Sequence, residues 1–464
     1  MPPISAGHTR HPAPVGGRAA RRVVIAGAGI GALEALLALR ALVPRGLQID
    51  VLAPGESFLF RPVSIAESLR TIERPTFDLD ALLRNQQVHR HVDALASVDA
   101  AARTVHTRAG SALPYDELIV ATGPRMVSAV RGALSLRGRA EVPAALATIR
   151  ELEEGRLRTL ACVLPADSRA WPIPIYELAL AAAARAPAAS VTIVTAEPHA
   201  LAALGRGASA AVSALLAARG VGLLAGASAV AFAGGRLRLE DGRTVEADRV
   251  IALPRLGGPA IPGLPADDEG FLAIDDYGQV LGVESVYAAG DATNFPIKQG
   301  ALAGAQAGAI ARLIAARAGA PVMPAPFRPV ARGLLLCGAE PRYVRVSPEG
   351  GAHSEPVSLR RGASNWAEGA LWWPFSRSVG RHLAPFLRDA TAAGSRRRFE
   401  PTAAGCAVLW LTLAEHDSQA GDPVMALEAL ERAEAFGALP ARVAQVRDEW
   451  AALAVSARAV GATT

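Results

Sequence analysis

The chain has 464 residues, 51% of them hydrophobic and 20% charged, so it is long enough for about two to four domains with real cores and is not a disordered protein. Its formal net charge is +5, but the arginines are scattered and no basic stripe with interleaved aromatic residues occurs. This argues against a nucleic-acid-binding surface. The three cysteines, Cys162, Cys337 and Cys406, exclude a secreted disulfide framework and lack the spacing of a metal site.

The beginning of the chain carries no targeting signal that we recognise. Residues 1–20 are rich in proline, glycine and small polar residues and lack the apolar segment of a signal peptide, which predicts a disordered tail. No strongly apolar run is long enough to cross a membrane. We therefore expect a cytoplasmic protein, with peripheral attachment to the inner face of the membrane as an alternative.

The predicted elements alternate between strands and helices. “RRVVIAGAGIGALEALLALRAL” (21–42) runs from a β-branched strand through a glycine turn into a helix, and “LPYDELIVATGPR” (113–125) is a strand that ends in small residues. Three further strands and two helices follow, and 283–319 contains a strand, an acidic turn and a long helix. This alternation predicts an α/β protein with two Rossmann-like domains, the second inserted in the first.

Composition and turn residues divide the chain further. Proline-punctuated strands begin near residue 323, and the last segment repeats at helical spacing, with Gly437 and Pro440 between its final two helices. The predicted parts are a disordered tail (1–20), a first α/β domain (21–140 and 265–322), an inserted domain (141–264), a C-terminal α+β interface segment (323–395) and a helical tail (396–464).

The turn after the first strand has the pattern of a dinucleotide-binding loop. Gly27 permits the tight turn, and Gly29 lets the backbone approach a pyrophosphate. Ala32 is small enough for the helix to lie close to the sheet. The free N–H groups of the helix start, at Ile30 and Gly31, would then stabilise the phosphate charge.

The acidic residue that such a site usually offers to the ribose hydroxyls is displaced. Ala53 stands where the second strand ends, and the nearest acids are Asp50, inside the strand, and Glu56, in the loop that follows. We expect Glu56 or water to make the ribose contact.

Two later segments carry a family resemblance. “YDELIVATG” and “VYAAGDATNFP”, in order after the glycine turn, resemble the FAD signatures of the pyridine nucleotide–disulfide oxidoreductase superfamily, and the branch of sulfide:quinone oxidoreductases and type II NADH dehydrogenases is the most similar. The resemblance covers roughly residues 21–320 and implies an FAD extended across the first domain. It assigns to the cofactor Ala121, Thr122 and Gly123 at the domain crossing, Gly290 and Asp291 near the ribityl chain or phosphate, and the backbone of Val92, in a strand over 91–99, at the adenine.

The turn “PIKQG” (296–300) resembles the Pro-Lys-Thr-Gly turn of the sulfide:quinone enzymes, with Gln299 in place of threonine. The resemblance implies that the N–H groups of Gln299 and Gly300 point at the pyrimidine edge of the flavin. Lys298 would add positive charge there or touch the oxidant, as a catalytic residue. The alternative is an ordinary surface lysine.

The inserted domain lacks a second glycine loop. “LPADSRAWPIPIYELAL” occupies its place, and Pro165, Pro172 and Pro174 donate no N–H to a phosphate, while Trp171 would fill the volume of a nucleotide. NAD(P) binding in the usual manner is therefore not expected. “PIYELAL” resembles the sulfide:quinone group, in which a sulfide-attacking cysteine precedes this motif, but Trp171 stands at that place here.

The remaining thiols have two interpretations. Cys162 and Cys337 both lie in apolar strands, which favours buried structural cysteines. The alternative is a rearranged catalytic pair that flanks the flavin.

The resemblance thus implies an FAD-dependent oxidoreductase that passes electrons from a small donor to a quinone or another acceptor. “ALWWPFSRSVGRHLAPFL” (370–387) loosely resembles the region that shapes a quinone pocket in membrane-associated relatives, and domain packing is its alternative role. Two rival functions remain open. One is an NAD(P)H-dependent enzyme that holds the nicotinamide through Arg169 and the helix start near Tyr176. The other is a non-catalytic flavin-binding sensor whose tail binds a protein partner or a second copy.

Overall fold

The computed structural model describes residues 20–59, 76–329, 331–335, 342–346, 360–361, 381–383, 386–387, 427, 430 and 434. Cys337, Cys406, the tryptophan pair of 370–387 and all but the last residue of the predicted N-terminal tail lie outside the described residues. Of the predicted helical tail, Leu427, Leu430 and Glu434 are described, and all three are helical.

Six helices and 23 strands are described in this part of the chain. The helices are α1 (Ile30–Leu42), α2 (Leu79–Leu83), α3 (Val142–Glu153), α4 (Ile173–Arg185), α5 (Arg206–Ala218) and α6 (Gly300–Arg317). The first nine strands are β1 (Arg21–Ala26), β2 (Leu47–Leu52), β3 (Ser57–Leu59), β4 (Thr76–Asp78), β5 (Val88–His91), β6 (Leu95–Asp99), β7 (Thr104–Thr107), β8 (Ala112–Pro114) and β9 (Glu117–Val120).

The other strands follow in chain order. They are β10 (Arg125–Val127), β11 (Leu134–Ser135), β12 (Thr159–Leu164), β13 (Ser190–Thr195), β14 (Val221–Leu224), β15 (Ala229–Ala233), β16 (Arg236–Leu239), β17 (Thr244–Glu246), β18 (Arg249–Ala252), β19 (Arg255–Gly257), β20 (Val286–Ala288), β21 (Ala331–Leu335), β22 (Arg342–Val346) and β23 (Arg360–Arg361).

The first large sheet is parallel, in the order β20-β9-β1-β2-β5. Side chains of β1 alternate between its two faces: Val23 and Ile25 pack with α1 and α6, whereas Val24 packs with the small antiparallel sheet β6-β7-β8. Because both faces are covered, the strand is an apolar run and not an alternating one, as is typical of buried parallel sheets.

The second large sheet has the same construction. Its order is β11-β18-β12-β13-β14, again parallel. Leu160, Cys162 and Leu164 of β12 face a core formed with α3, α4 and α5, and Ala161 and Val163 face the antiparallel sheet β15-β16-β17. The predicted α/β class with parallel sheets is confirmed.

The chain leaves the first sheet after β9 and returns to it with β20, and the second sheet is built from the segment between. The second sheet begins at β11 (Leu134–Ser135), before the boundary that the sequence predicts at residue 141. The short β10 and β19 pair antiparallel to each other at the crossing between the two units.

The predicted strand over 91–99, on which Val92 was placed, is wrong. The segment splits into β5, which joins the first sheet, and β6, which joins a different antiparallel sheet. Val92 lies between them with its side chain 66% exposed. The chain turns here because the carboxylate of Asp93 accepts hydrogen bonds from the N–H groups of Ala94, at 2.7 Å, and Ala109, at 3.0 Å.

A C-terminal segment packs on α1 through a buried carboxylate. Glu34, 1% exposed, accepts hydrogen bonds from the backbone N–H of His382 (3.0 Å) and Leu383 (2.7 Å) and pairs with Nδ1 of His382 at 2.8 Å. Leu383 and Leu387 are fully buried in the core that contains α1 and α6. Glu34 therefore satisfies the N–H groups at the start of a helical segment that covers the first unit.

Candidate functional site

Three parallel strands of the first sheet end beside one another. The turn after β1 is tight, since Gly27 has φ +123° and a Cβ there would lie 2.2 Å from the carbonyl oxygen of Ala121, at the end of β9. The N–H of Ala289, just after β20, donates to Val120 at 3.0 Å and brings that strand end to the same edge. Only glycine fits at position 27.

The glycine turn exposes the start of α1. Gly29 caps this helix with φ −83°, no side chain bonds to the helix start, and its first turn has no acidic residue. A Cβ on Gly29 would meet no atom within 4 Å, whereas one on Gly31 would lie 3.3 Å from Cβ of Ala289. Open space above Gly29, free N–H groups and close packing at Gly31 are what a pyrophosphate site requires. Residues 27–31 are called the glycine cradle below.

At the end of β20, Gly290 opens a short 3₁₀ turn, Gly290–Ala292, with φ +74°. Its N–H donates to Oε1 of Gln306 on α6 at 2.7 Å, and Gln306 is 1% exposed. Sequence reasoning missed Gln306, although a single amide in the small-residue helix “GALAGAQAGAIARL” is a signal that could have identified it. The contact fixes the turn that carries Asp291 beside the glycine cradle.

The two acids near the end of β2, Asp50 and Glu56, differ in burial and in their partners. Asp50 is 1% exposed and already pairs with Arg22 at 2.9 Å and with His91 at 2.7 Å, so it holds the strand ends together. Glu56 has an exposed side chain in the loop after the strand, and its carbonyl accepts from Leu79 at 2.9 Å. Of these two acids, Glu56 is the one exposed to solvent.

Lys298 is buried. Its side chain is 3% exposed, Nζ donates to the carbonyl of Thr293 and lies 4.0 Å from the ring centroid of Phe271. Burial lowers the pKa of Lys298 to about 8, and the charge of Asp291 partly opposes this shift. The alternative of an ordinary surface lysine is therefore wrong.

The helix α6 begins directly after this lysine. Gln299 is its first flanking residue, with φ −149°, and its side chain makes no capping hydrogen bond to the helix. The first turn holds no acidic residue. The positive end of this long helix thus lies in the same part of the molecule as the turn at Gly290.

In the second unit a loop, residues 165–172, replaces the glycine turn between β12 and α4. Pro172 flanks the helix and Pro174 occupies its first turn, so two positions that would point an N–H at a phosphate have none. Trp171 is half-buried against the core of this unit. Asp167 and Arg169 have φ near +50°, a backbone conformation that residues other than glycine adopt only when their surroundings hold them there.

The 165–172 loop also binds the two units together. The guanidinium of Arg169 pairs with Glu269, donates to the carbonyl of Asn294 at 3.2 Å, and lies 4.9 Å from the ring centroid of Phe271. Ala170 forms a parallel bridge with Lys298. Phe271, fully buried between two cations, was not identified from the sequence, because “EGFLAID” carries no signal beyond that of an ordinary strand.

Cys162 lies at the centre of β12 and is completely buried. Burial in this apolar strand raises the pKa of the thiol to about 12. A thiolate is therefore strongly disfavoured, which supports the structural interpretation of this cysteine and weighs against a catalytic one.

The described residues include neither a membrane-spanning helix nor a cluster of metal-binding side chains. Within the described ranges, no helix is long and apolar enough to cross a membrane. The same part of the chain contains no group of three or more histidine, cysteine or acidic side chains arranged to hold a metal ion.

Comparisons with known proteins agree with the geometry. The model of the pyridine nucleotide-disulphide oxidoreductase family matches residues 21–162 and 176–312. The break in this match, residues 163–175, contains the 165–172 loop. The sulfide-quinone reductase of Aquifex aeolicus (strain VF5) is 32% identical over 115 residues, which span 24% of this chain and 26% of that protein.

Two solved structures illustrate the shared fold. The crystal structure of the sulfide:quinone oxidoreductase from Aquifex aeolicus aligns with a TM-score of 0.66 at 22% identity, covering 74% of this chain and 87% of that chain. The water-forming NADH oxidase from Lactobacillus brevis bound to NADH aligns with a TM-score of 0.54 at 16% identity, covering 70% and 75%. At these identities the similarity is one of fold.

Proposed function

Because the chain belongs to the pyridine nucleotide-disulphide oxidoreductase family, we propose that it is an FAD-dependent oxidoreductase that takes electrons from a small donor other than NAD(P)H. A quinone or another acceptor would then receive them. The observation that carries this proposal is the contrast between the two units: the first has an open glycine cradle, and the second has the 165–172 loop in its place.

The glycine cradle fits the diphosphate of FAD. The N–H groups at the start of α1 would donate to the phosphates, and Gly29 leaves room for them. Thr122 and Gly123, after β9, and Asp291, after β20, would line the same edge, with Glu56 at the ribose. Bound FAD supplies the two-electron redox chemistry, and the start of α6 at Gln299 and Gly300 would stabilise negative charge near it.

Two features of the second unit argue against a nicotinamide. A pyrophosphate needs backbone N–H groups at a helix start, and Pro172 and Pro174 remove two of them. The loop also reaches across to the first unit, where Arg169 is paired with Glu269 and with the carbonyl of Asn294. Opening a passage here would break these contacts. The fold alone does not argue against a nicotinamide, because an NADH-bound oxidase has a similar fold. The 165–172 loop is the feature that does.

The acceptor is proposed by similarity. The Aquifex relatives are named for sulfide and quinone, and the matched curated segment covers about a quarter of that protein, so a quinone is the first acceptor to test. The donor site differs from that of the sulfide:quinone group in one respect. Trp171 occupies the position of the sulfide-attacking cysteine, and Cys162 is buried and disfavoured as a thiolate. A donor that reacts without a protein thiol is therefore expected.

The test begins with a visible spectrum of the purified protein and continues with anaerobic stopped-flow mixing. We expect a yellow protein whose flavin absorbance is unchanged by NADH or NADPH over minutes and falls with small reductants such as sulfide or thiols. A quinone such as decylubiquinone should then restore the absorbance. Flavin bleaching within seconds by NADH would overturn the proposal for the donor, and a colourless protein that FAD cannot reconstitute would overturn it entirely.

Matched variants locate the cofactor. Gly29→Glu adds a carboxylate in open space at the phosphates and should lower FAD affinity by about 100-fold or more while the protein stays folded, since φ −83° suits any residue. Gly138→Glu, an exposed glycine with equal space, is the control and should retain FAD. A yellow protein inert to every donor and acceptor would instead favour the flavin-binding sensor.

A further inference from the structure

A second polar cavity lies at the opposite edge of the first sheet from the glycine cradle. It has a volume of about 280 Å³. Its lining consists of Arg21, Arg103, Asp116, Glu117, Ser285 and Arg317. β1 begins at this cavity and ends at Ala26, next to Gly27, so the two places are separated by the length of the strand, roughly 17 Å. We call this cavity the arginine pocket. None of its lining residues is part of the candidate flavin site.

The buried carboxylate of the arginine pocket, that of Glu117, is already satisfied. Glu117 is 1% exposed, pairs with Arg21, accepts from the hydroxyl of Tyr287 at 2.9 Å, and has Arg317 at 3.6 Å. Asp116 accepts from the backbone N–H of Arg22 at 2.7 Å. A buried ion pair such as that of Glu117 is stable only when its remaining lone pairs are used, as they are here. Glu117 therefore leaves little acceptor capacity for the groups that face the cavity, whereas Asp116 is exposed to solvent.

The donors of the arginine pocket are in excess. Three arginines and two carboxylates give its lining a net positive charge. Arg103 and Ser285 make no side-chain hydrogen bond or ion pair with any described residue, and both have positive φ, +50° and +59°. Residues of this type adopt that conformation only under constraint, and such constraint is often found where a side chain serves a ligand. Arg317 is engaged, since its terminal nitrogens donate to the hydroxyl of Tyr287 and, at 3.3 Å, to Oε1 of Gln279. The pocket thus presents the unpaired guanidinium of Arg103, a hydroxyl and the positive charge of two paired arginines.

We propose that the arginine pocket binds a small soluble molecule through a phosphate group. Guanidinium groups form paired hydrogen bonds with phosphate oxygens, and three of them that converge from β1, the β6–β7 turn and the end of α6 suit a tetrahedral anion better than a planar one. The site is concave and lies between elements of one unit, which favours a small ligand over a membrane surface. This inference is independent of the proposed redox function.

Phosphate titration of the purified, flavin-loaded protein tests the proposal. Inorganic phosphate should broaden its ³¹P resonance on binding and raise the melting temperature, at constant ionic strength maintained with chloride. Arg103→Gln should weaken the apparent phosphate affinity by about tenfold, because one charge-assisted contact is lost. The side chain of Arg103 makes no hydrogen bond or ion pair with a described residue, so this variant should fold. Arg238→Gln, an exposed arginine on β16, is the matched control and should bind phosphate as the parent does.

Three results would overturn the proposal. One is equal stabilisation by phosphate and chloride, and another is equal phosphate binding by Arg103→Gln and the parent protein. The third is co-sedimentation with phosphatidylglycerol vesicles that depends on Arg103 while free phosphate does not bind, since the pocket would then read a lipid surface. Because the readout depends on Arg103, phosphate that enters an empty glycine cradle does not imitate the expected result.

Discussion

Removal of the Glu34 carboxylate is expected to release the C-terminal segment from α1. The carboxylate accepts the backbone N–H groups of His382 and Leu383 and pairs with the imidazole, all in a buried place. In Glu34→Ala these two N–H groups would have no acceptor. The helix α1 carries the glycine cradle at its start, so the contact connects the end of the chain to the proposed cofactor site.

The expected loss can be estimated from the contacts. Each buried N–H left without a partner costs about 1–3 kcal/mol, and removing one partner of a buried, hydrogen-bonded pair costs about 3–5 kcal/mol in total. If the segment detaches, the loss is limited to what its docking contributes, which includes the burial of Leu383 and Leu387 at about 1.5–3 kcal/mol each. We therefore expect the free energy of unfolding to fall by about 3–5 kcal/mol.

Urea unfolding measures the loss in the free energy of unfolding, and hydrogen exchange identifies the segment that is released. Peptides that contain residues 381–387 should exchange much faster in Glu34→Ala, whereas peptides from β12 should not change. Glu34→Gln keeps one carbonyl acceptor and should lose about half as much. Glu246→Ala, at an exposed position on β17, is the control and should stay within about 0.5 kcal/mol of the parent. Unchanged exchange at 381–387 together with a loss below 1 kcal/mol in Glu34→Ala would refute the reasoning.

Two further predictions concern the buried groups Cys162 and Lys298. Cys162→Ala should leave the rate of flavin reduction within about twofold and lower the free energy of unfolding by about 1–2 kcal/mol through the small cavity it creates; lost turnover with full flavin content would contradict this. For Lys298, whose pKa burial lowers from 10.5 to about 8, the folded protein binds fewer protons than the unfolded chain between these values. Stability should therefore rise with pH from about 8 to 10.5 relative to Lys298→Met, by up to about 3 kcal/mol, as measured by urea unfolding at several pH values; parallel pH profiles of the two proteins would contradict it.

The sequence predicted those parts of the fold that local patterns determine. Apolar runs such as “RRVVIA” and “TLACVL” predicted buried parallel strands, and the glycine pattern predicted the tight turn at Gly27. The strand assigned around Val92 failed because its two halves join different sheets, and pairing between distant strands is not encoded in a local pattern.

The environment of the candidate site depended even more on distant contacts. The sequence favoured a functional Lys298 and left a surface lysine as the alternative, and it is the packing of Phe271 and the 165–172 loop that buries it. The same holds for Glu34, whose partner is His382 near the other end of the chain. Residue type indicated that these groups were polar, but not which buried groups they would meet.

The 165–172 loop gives the second unit a role that does not require a nucleotide. Two strained backbone positions, Asp167 and Arg169, cost roughly 1–3 kcal/mol each, and the loop persists because it places Arg169 on Glu269 and Phe271 of the first unit. A short glycine turn would leave that space for a ligand; this loop fills it with fixed protein groups. If the proposed function is correct, the second unit holds Lys298 and the start of α6 in place beside the flavin. The electron donor must then be small enough to reach the flavin by another path.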